Sequence, residues 1–217
     1  MVFEKKYKGV LFDFDGVVID SMHQHYDAWS KAFAEKNITF TKESFFQLEG
    51  QGLSTIARML GEPYGLKEKE LLDIIEAKAR HYYSFEKIQF YDSFFELIDF
   101  LKNKHIPMAV VTGGNRDRVS NVIENYFKDY FSAIVTIDDV KNGKPYPEPF
   151  TKGAEKLLLN PADCIVIENA PLGIKAGKAA GCFVIAVKTT LTEKYLNQAN
   201  LILENFQDVK IQLQKLI

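Results

Sequence analysis

The sequence predicts an α/β fold: a parallel sheet core interrupted after its first strand by an α-helical insert. Three observations lead there. From residue 92 onward, helical and strand patterns alternate, which means parallel strands joined by crossover helices. From residue 21 to about 86 only helical periodicity occurs. Ahead of both stands the apolar run Val10-Leu11-Phe12, long enough for a strand buried on both faces.

In chain order, Met22, Tyr26, Trp29 and Phe33 recur at helical spacing and mark one face of a first helix. Thr41 or Ser44 caps a short second helix, broken by Gly50 and Gly52. A third helix begins near Ser54 and stops at Gly61-Glu62-Pro63. A fourth spans 67–85, with Leu71, Leu72, Ile75, Ala79 and Tyr82 on its apolar side. The alternation then begins with a helix over 94–104, a strand over 108–112, a helix over 116–127 and a strand over 133–137. After Pro149 come a helix to 159, a strand over 164–168, an Ala/Gly-rich helix over 172–180 and a strand over 183–187. Leu201-Ile202-Leu203 adds an edge strand and 206–216 a closing helix. The aromatics Tyr82, Tyr83, Phe85, Phe90, Tyr91, Phe94 and Phe95 are expected to pack the junction of insert and core.

Composition narrows the class. At 47% hydrophobic and 26% charged, the 217 residues suit a soluble globular protein with an ample core. A net charge of −2 gives no reason to expect nucleic acid or an anionic membrane as partner. No apolar stretch approaches the roughly 20 residues that span a bilayer, and the first eight residues lack the apolar centre of a signal peptide. Cys164 and Cys182 read as two buried thiols, with a disulfide or metal role as alternatives. The expectation is a cytoplasmic monomer.

The chemistry-bearing residues lie where ligands bind in open parallel sheets, beyond the carboxyl ends of the strands. Asp13 and Asp15 follow the first apolar run, with Gly16 next. Residues i and i+2 of a strand lie on one side, roughly 6.5 Å apart. At an effective dielectric of about 20, two such charges repel by ~2.5 kcal/mol. A divalent cation between them removes that penalty, and oxygen ligands suit Mg²⁺; the alternative is a polar strand end facing solvent. Thr112-Gly113-Gly114-Asn115 offers a hydroxyl and backbone N–H groups at a helix N-terminus, a phosphate cradle that a tight turn with an N-cap explains equally well. Lys144 sits between Gly143 and Pro145, whose restricted backbone fixes where the ammonium points. Glu168 and Asn169 end the 164–168 strand, where Asn169 also suits a helix N-cap before Pro171. Glu49 lies in the exposed, glycine-flanked loop 47–52 and His25 in the first turn of the insert. Either can equally be an ordinary surface or structural residue.

These segments resemble the motifs of the haloacid dehalogenase superfamily across nearly the whole chain. Residues 13–21 are similar to DxDGVxxDS, Thr112 to its motif two, 143–150 to GKPxPxxF and 168–173 to its motif four. The resemblance is nearest to the phosphoglycolate-phosphatase and β-phosphoglucomutase-like branch. It implies a Rossmann-like core (1–20 and 87–217) with an inserted helical cap (21–86). It also implies that Asp13 is a nucleophile, Asp15 an acid/base, Thr112 a phosphate holder and Lys144 a charge-balancing group. Since dehalogenases lack the second acid, Asp15 points to phosphoryl transfer. Motif four departs from its commoner form: Asn169 stands where a second acid would bind Mg²⁺. The expected ligands are Asp13, the backbone carbonyl of Asp15 and Asn169, with Glu168 acting through a metal-bound water. The Gly113 amide is expected to hold phosphoryl oxygens, and Gly114 and Asn115 belong to the same substrate-binding turn. In β-phosphoglucomutase-like members the loop at Glu49 faces the active site, and a His lies near the place of His25. Glu49 would restore the lost charge and favour a small, metal-complexed substrate such as inorganic pyrophosphate.

The leading expectation is therefore a Mg²⁺-dependent hydrolase of small phosphorylated compounds. One rival is a sugar phosphomutase, whose loop looks like KGVSR where this chain has Glu49-Gly50-Gln51-Gly52-Leu53-Ser54. Arg58 is the available substitute for the missing Arg. The other rival is a non-catalytic phosphate-binding module, which would not need both Asp13 and Asp15.

Overall fold

The computed structural model describes residues 6–83 and 87–217. Its strands, numbered in chain order, are β1 Gly9–Phe12, β2 Met108–Val111, β3 Ala133–Val135, β4 Cys164–Glu168, β5 Phe183–Val187 and β6 Leu201–Leu203. They form one sheet, ordered β3-β2-β1-β4-β5-β6, in which every pairing is parallel. The central strand shows why its sequence is apolar throughout. Leu11 packs into one face with Val166, Val184 and Phe150, while Val10 and Phe12 pack into the other with Val110 and Phe94. Such two-sided burial removes the polar alternation of a half-exposed strand.

Helices cover both faces. Phe94–Asn103 (α5), Arg116–Tyr126 (α6) and Phe206–Leu216 (α10) cover one; Glu148–Lys156 (α7) and Pro171–Ala179 (α8) cover the other. The short helix Glu193–Leu196 (α9) lies between β5 and β6. The 133–137 strand stops two residues early. Asp139 accepts from the Thr136 N–H at 2.8 Å and its hydroxyl at 3.0 Å, and this capping box turns Ile137–Asp139 into a 3-10 turn.

Between β1 and α5 lie Met22–Ala34 (α1), Lys42–Phe46 (α2), Leu53–Gly61 (α3) and Glu68–Tyr83 (α4), with no strand among the described residues. Thr41 caps α2 through its hydroxyl, 3.1 Å from the Ser44 N–H. Helix α4 packs against α1 and α3, but its buried stripe is rotated from the expected one. Leu71, Ile74, Ala77 and Lys78 face inward, whereas Leu72 is 54% exposed. Residues 71, 74, 75 and 78 fit either stripe by spacing, and the position of the partner helices decides between them. The expected continuation to Phe85 lies outside the described residues.

Candidate active site

The strand order reverses between β1 and β4, which places a crevice at their carboxyl ends. Asp13 follows β1 and donates its N–H to the Ile167 carbonyl at 3.0 Å. Thr112 follows β2, and Glu168 and Asn169 end β4. Lys144 enters on the loop before α7, is only 2% exposed, and lies over the Phe150 ring at 4.9 Å. Its ammonium pairs with Asp13 and reaches Glu168 Oε1 at 2.6 Å. Glu168 Oε2 accepts the N–H groups of Asn169 and Ala170 at 2.8 and 3.0 Å, tying the start of α8 to the strand. Both Glu168 oxygens thus have protein donors. Burial raises the Asp13 pKa, against the pull of Lys144.

Asp15 faces a second cluster. Its Oδ1 accepts from Ser21 Oγ at 2.6 Å, Arg118 Nη1 at 2.9 Å and His25 Nε2 at 3.1 Å, while Arg118 Nη2 takes Oδ2. Burial alone would raise the Asp15 carboxyl, yet Arg118 and His25 hold it well below the usual carboxylate range. Burial, reinforced by the nearby Lys78 charge, pushes His25 down to about 4, so it is neutral at pH 7 and donates from Nε2. The His25 ring stacks on Tyr82 at 4.3 Å.

The loop expected to be exposed at Glu49 is instead packed onto the core, and Glu49 is 5% exposed. Its Oε2 accepts from Asn169 Nδ2 at 2.7 Å, and Gln51 Nε2 donates to the Lys144 carbonyl at 2.7 Å. The backbone of Gly113 lies so close to this loop that a Cβ there would sit 2.5 Å from the Gly50 carbonyl oxygen. Thr112 Oγ1 accepts the Gly114 N–H at 3.0 Å, which leaves its own proton to donate. Asn115 caps α6, accepting the Arg118 N–H at 3.1 Å. A cavity of about 140 Å³ lies between insert and core, lined by Asp13, Asp15, His25, Glu49, Thr112 and Arg118 among others.

The donors here suit a hard divalent cation. Asn169 Oδ1 and Glu49 Oε1 are buried with no hydrogen-bond partner, an arrangement that costs free energy unless something else satisfies them. Of the buried carboxylates Asp13, Glu49 and Glu168, the Lys144 ammonium pairs with Asp13 and Glu168, Arg118 is matched to Asp15, and Glu49 has the Asn169 amide as its partner. Burial, with the charges of Asp13 and Glu168, raises the Glu49 pKa well above the carboxylate range. Among the described residues no three His, Cys, Asp or Glu converge as a metal-binding group. A cation here therefore needs the amide oxygen of Asn169 beside the carboxylates.

Comparison with known proteins identifies the family. The family model for haloacid dehalogenase-like hydrolases matches residues 10–187. The chain belongs to that family. Hexitol phosphatase A of Escherichia coli is 32% identical over 213 residues, covering 95% of each chain. The β-phosphoglucomutase of Bacillus subtilis is 30% identical, covering 83% of each. The crystal structure of β-phosphoglucomutase from Clostridium difficile superposes with a TM-score of 0.83 at 26% identity, covering 96% of each chain. Relatives within this family thus include both a phosphatase and a phosphoglucomutase.

The structure thus gathers Asp13, Asp15, Thr112, Lys144, Glu168, Asn169, Glu49, His25 and the 113–115 turn at one crevice of this hydrolase. Arg58 is not among them; it pairs with Glu62 at 3.3 Å on the surface. Phe90, Tyr91, Phe94 and Phe95 pack on Phe127 or Phe206, inside the core and not at its junction with the insert as expected. Tyr82 and Tyr83 do lie at the junction, where they line the cavity and Tyr82 meets Arg118 of the core, and Phe85 lies outside the described residues. Two cations were missed. Arg118 carried a signal, because a cation in the first turn of a helix opposes the macrodipole and needs an acid nearby. Lys78 carried another: it occupies an inward position of α4, at i+4 and i+7 from Ile74 and Leu71.

Proposed function

We propose that the protein is a Mg²⁺-dependent phosphohydrolase acting on a small phosphorylated metabolite through an aspartyl-phosphate on Asp13. The observation that carries this reading is the buried contact of Lys144 with both Asp13 and Glu168, beside the unpartnered oxygens of Asn169 and Glu49. Asp13, the Asp15 carbonyl and Asn169 would hold Mg²⁺, with Glu49 near and Glu168 reaching it through water; the ion would supply positive charge against the phosphoryl oxygens. A bond forms from Asp13 to phosphorus as the bond to the leaving oxygen breaks, and Asp15 delivers a proton to that oxygen. Water then gives its proton to Asp15 and its oxygen to phosphorus, releasing phosphate and regenerating Asp13. Thr112, the Gly113 amide and Lys144 hold the equatorial oxygens throughout. Arg118 occupies both oxygens of Asp15 in this structure, so proton transfer requires the guanidinium to give way.

Residues 21–86 serve as a cap on a core made of 1–20 and 87–217, and closure excludes bulk water. The buried, unpaired Cys164 and Cys182 suit a reducing compartment such as the cytoplasm. Pyrophosphate is a candidate substrate on the strength of Glu49, whose carboxylate favours a small metal-complexed anion over a larger one. Phosphate release from a panel of phosphate esters and pyrophosphate, with and without Mg²⁺, tests the reading. Equal rates in EDTA would remove the metal, and no preference for pyrophosphate over sugar phosphates would remove that substrate. The sugar phosphomutase alternative is favoured by the similarity to β-phosphoglucomutases. Conversion of glucose 1-phosphate to the 6-phosphate without phosphate release would establish it instead.

A further inference from the structure

Lys78 is a buried cation without a matching anion. It is 4% exposed, projects from α4 of the insert, and lines the cavity. Its ammonium lies 4.5 Å from the Tyr82 ring centroid and 5.8 Å from that of Trp29. Among the described residues no carboxylate pairs with it. Burial, together with the Arg118 charge, lowers its pKa to about 7. Cation–π contacts offset only part of the cost of desolvating an ammonium. Arg118 reaches the same tyrosine from the core: its guanidinium carbon is 5.7 Å from the ring centroid, and Nη1 is 3.3 Å from the hydroxyl. Among the described residues, Arg118 and Lys78 both approach Tyr82, and of the two only Arg118 is paired with a carboxylate, that of Asp15. Lys78, Tyr82 and Arg118 line the same cavity as Asp13 and Asp15, and Arg118 is held on Asp15, the group that would protonate a leaving oxygen, whereas Lys144 is held on Asp13.

We propose that Lys78 and Arg118 form a second anion site on the leaving-group side of Asp15, and that the substrates carry a negative charge on the group that departs. The inference rests on the phosphohydrolase reading and narrows it to phosphoric anhydrides such as pyrophosphate, or phosphate esters of hydroxy acids. A substrate of that class supplies the missing anion to Lys78. It also gives Arg118 an alternative to Asp15, freeing the carboxylate for its proton.

The test compares kcat/KM for pyrophosphate, 3-phosphoglycerate and glycerol 3-phosphate, whose leaving groups are a phosphate, a carboxylate-bearing alcohol and an uncharged alcohol. Wild type is expected to favour one of the charged pair over glycerol 3-phosphate by at least about tenfold, and which one identifies the anion. K78M should bring that ratio to near one, chiefly through KM, while K78R should keep it. A wild-type ratio at or below one, or a K78M ratio equal to that of wild type, overturns the proposal. Calorimetric titration of D13N and of D13N/K78M with the same three compounds reads the site without turnover. A charged-over-uncharged affinity ratio that K78M lowers at least about tenfold supports it, and an unchanged ratio overturns it. Absence of phosphate release from every compound would overturn the hydrolase reading alone.

Discussion

Asn169 of the core donates its amide to Glu49 of the insert over 2.7 Å, and one buried oxygen on each side chain is left without a partner. Asn169→Asp replaces that donor by a carboxylate facing Glu49. In EDTA the variant should lose roughly 2 kcal/mol, the worth of a hydrogen bond to a charged group. Millimolar Mg²⁺ should then raise its thermal midpoint by more than it raises that of wild type. Identical midpoints with and without Mg²⁺ would show that no cation is held between these residues.

Asp13→Asn removes the attacking carboxylate while keeping its shape. Phosphate release should fall to background, and acid-quenched samples should contain no protein-bound phosphate. Retention of normal turnover would eliminate the covalent step.

Lys144 is the ammonium shared by two buried carboxylates, so Lys144→Met leaves both uncompensated. The expected loss is about 3–5 kcal/mol by chemical denaturation. Adding Glu168→Gln should recover part of it by removing one of the stranded charges, a coupling that a double-mutant cycle reads directly.

Lys78 gives a signed pH dependence in the ligand-free protein. Its pKa is lowered to about 7, so between pH 7 and roughly 10.4 the unfolded chain binds more protons at this site than the folded one. Stability therefore rises with pH through that window. Between pH 7 and 9.5 wild type should gain roughly 3 kcal/mol relative to Lys78→Met. Urea denaturation at the two pH values measures it, and parallel curves for the two proteins would place the proton elsewhere.

Gly113 is held against the carbonyl of Gly50, where a methyl group would collide. Gly113→Ala should push the Glu49 loop off the core and cut kcat/KM about tenfold, about 1.4 kcal/mol. Denaturation should change far less, because the contact joins two loops and not the packed sheet. A variant with full activity would show that this close approach is not required.

Much of the architecture was legible because its signals are local. The apolar run before Asp13, the alternation after residue 92 and the breaks at Gly61 and Pro63 each concern a few neighbouring residues. Strand 133–137 was read two residues too long because the capping box of Thr136 and Asp139 competes with the ladder, and side-chain capping is invisible to hydropathy. The polar groups of the site were legible as well: Asp13, Asp15, Thr112, Glu168 and Asn169 at strand ends and Lys144 in a loop are set off by the apolar or Gly/Pro residues around them.

The sequence by itself determined the fold class, the order of elements and the groups at the strand ends, since periodicity and terminal residues are properties of short segments. Only the tertiary structure decided that Arg118 takes the carboxylate of Asp15, 103 residues away, that Glu49 is buried against Asn169, and that Lys78 turns inward. The physical reason is that a charge's partner and the inward stripe of a helix depend on what is packed opposite. That is fixed when insert and core come together, and spacing along the chain does not encode it.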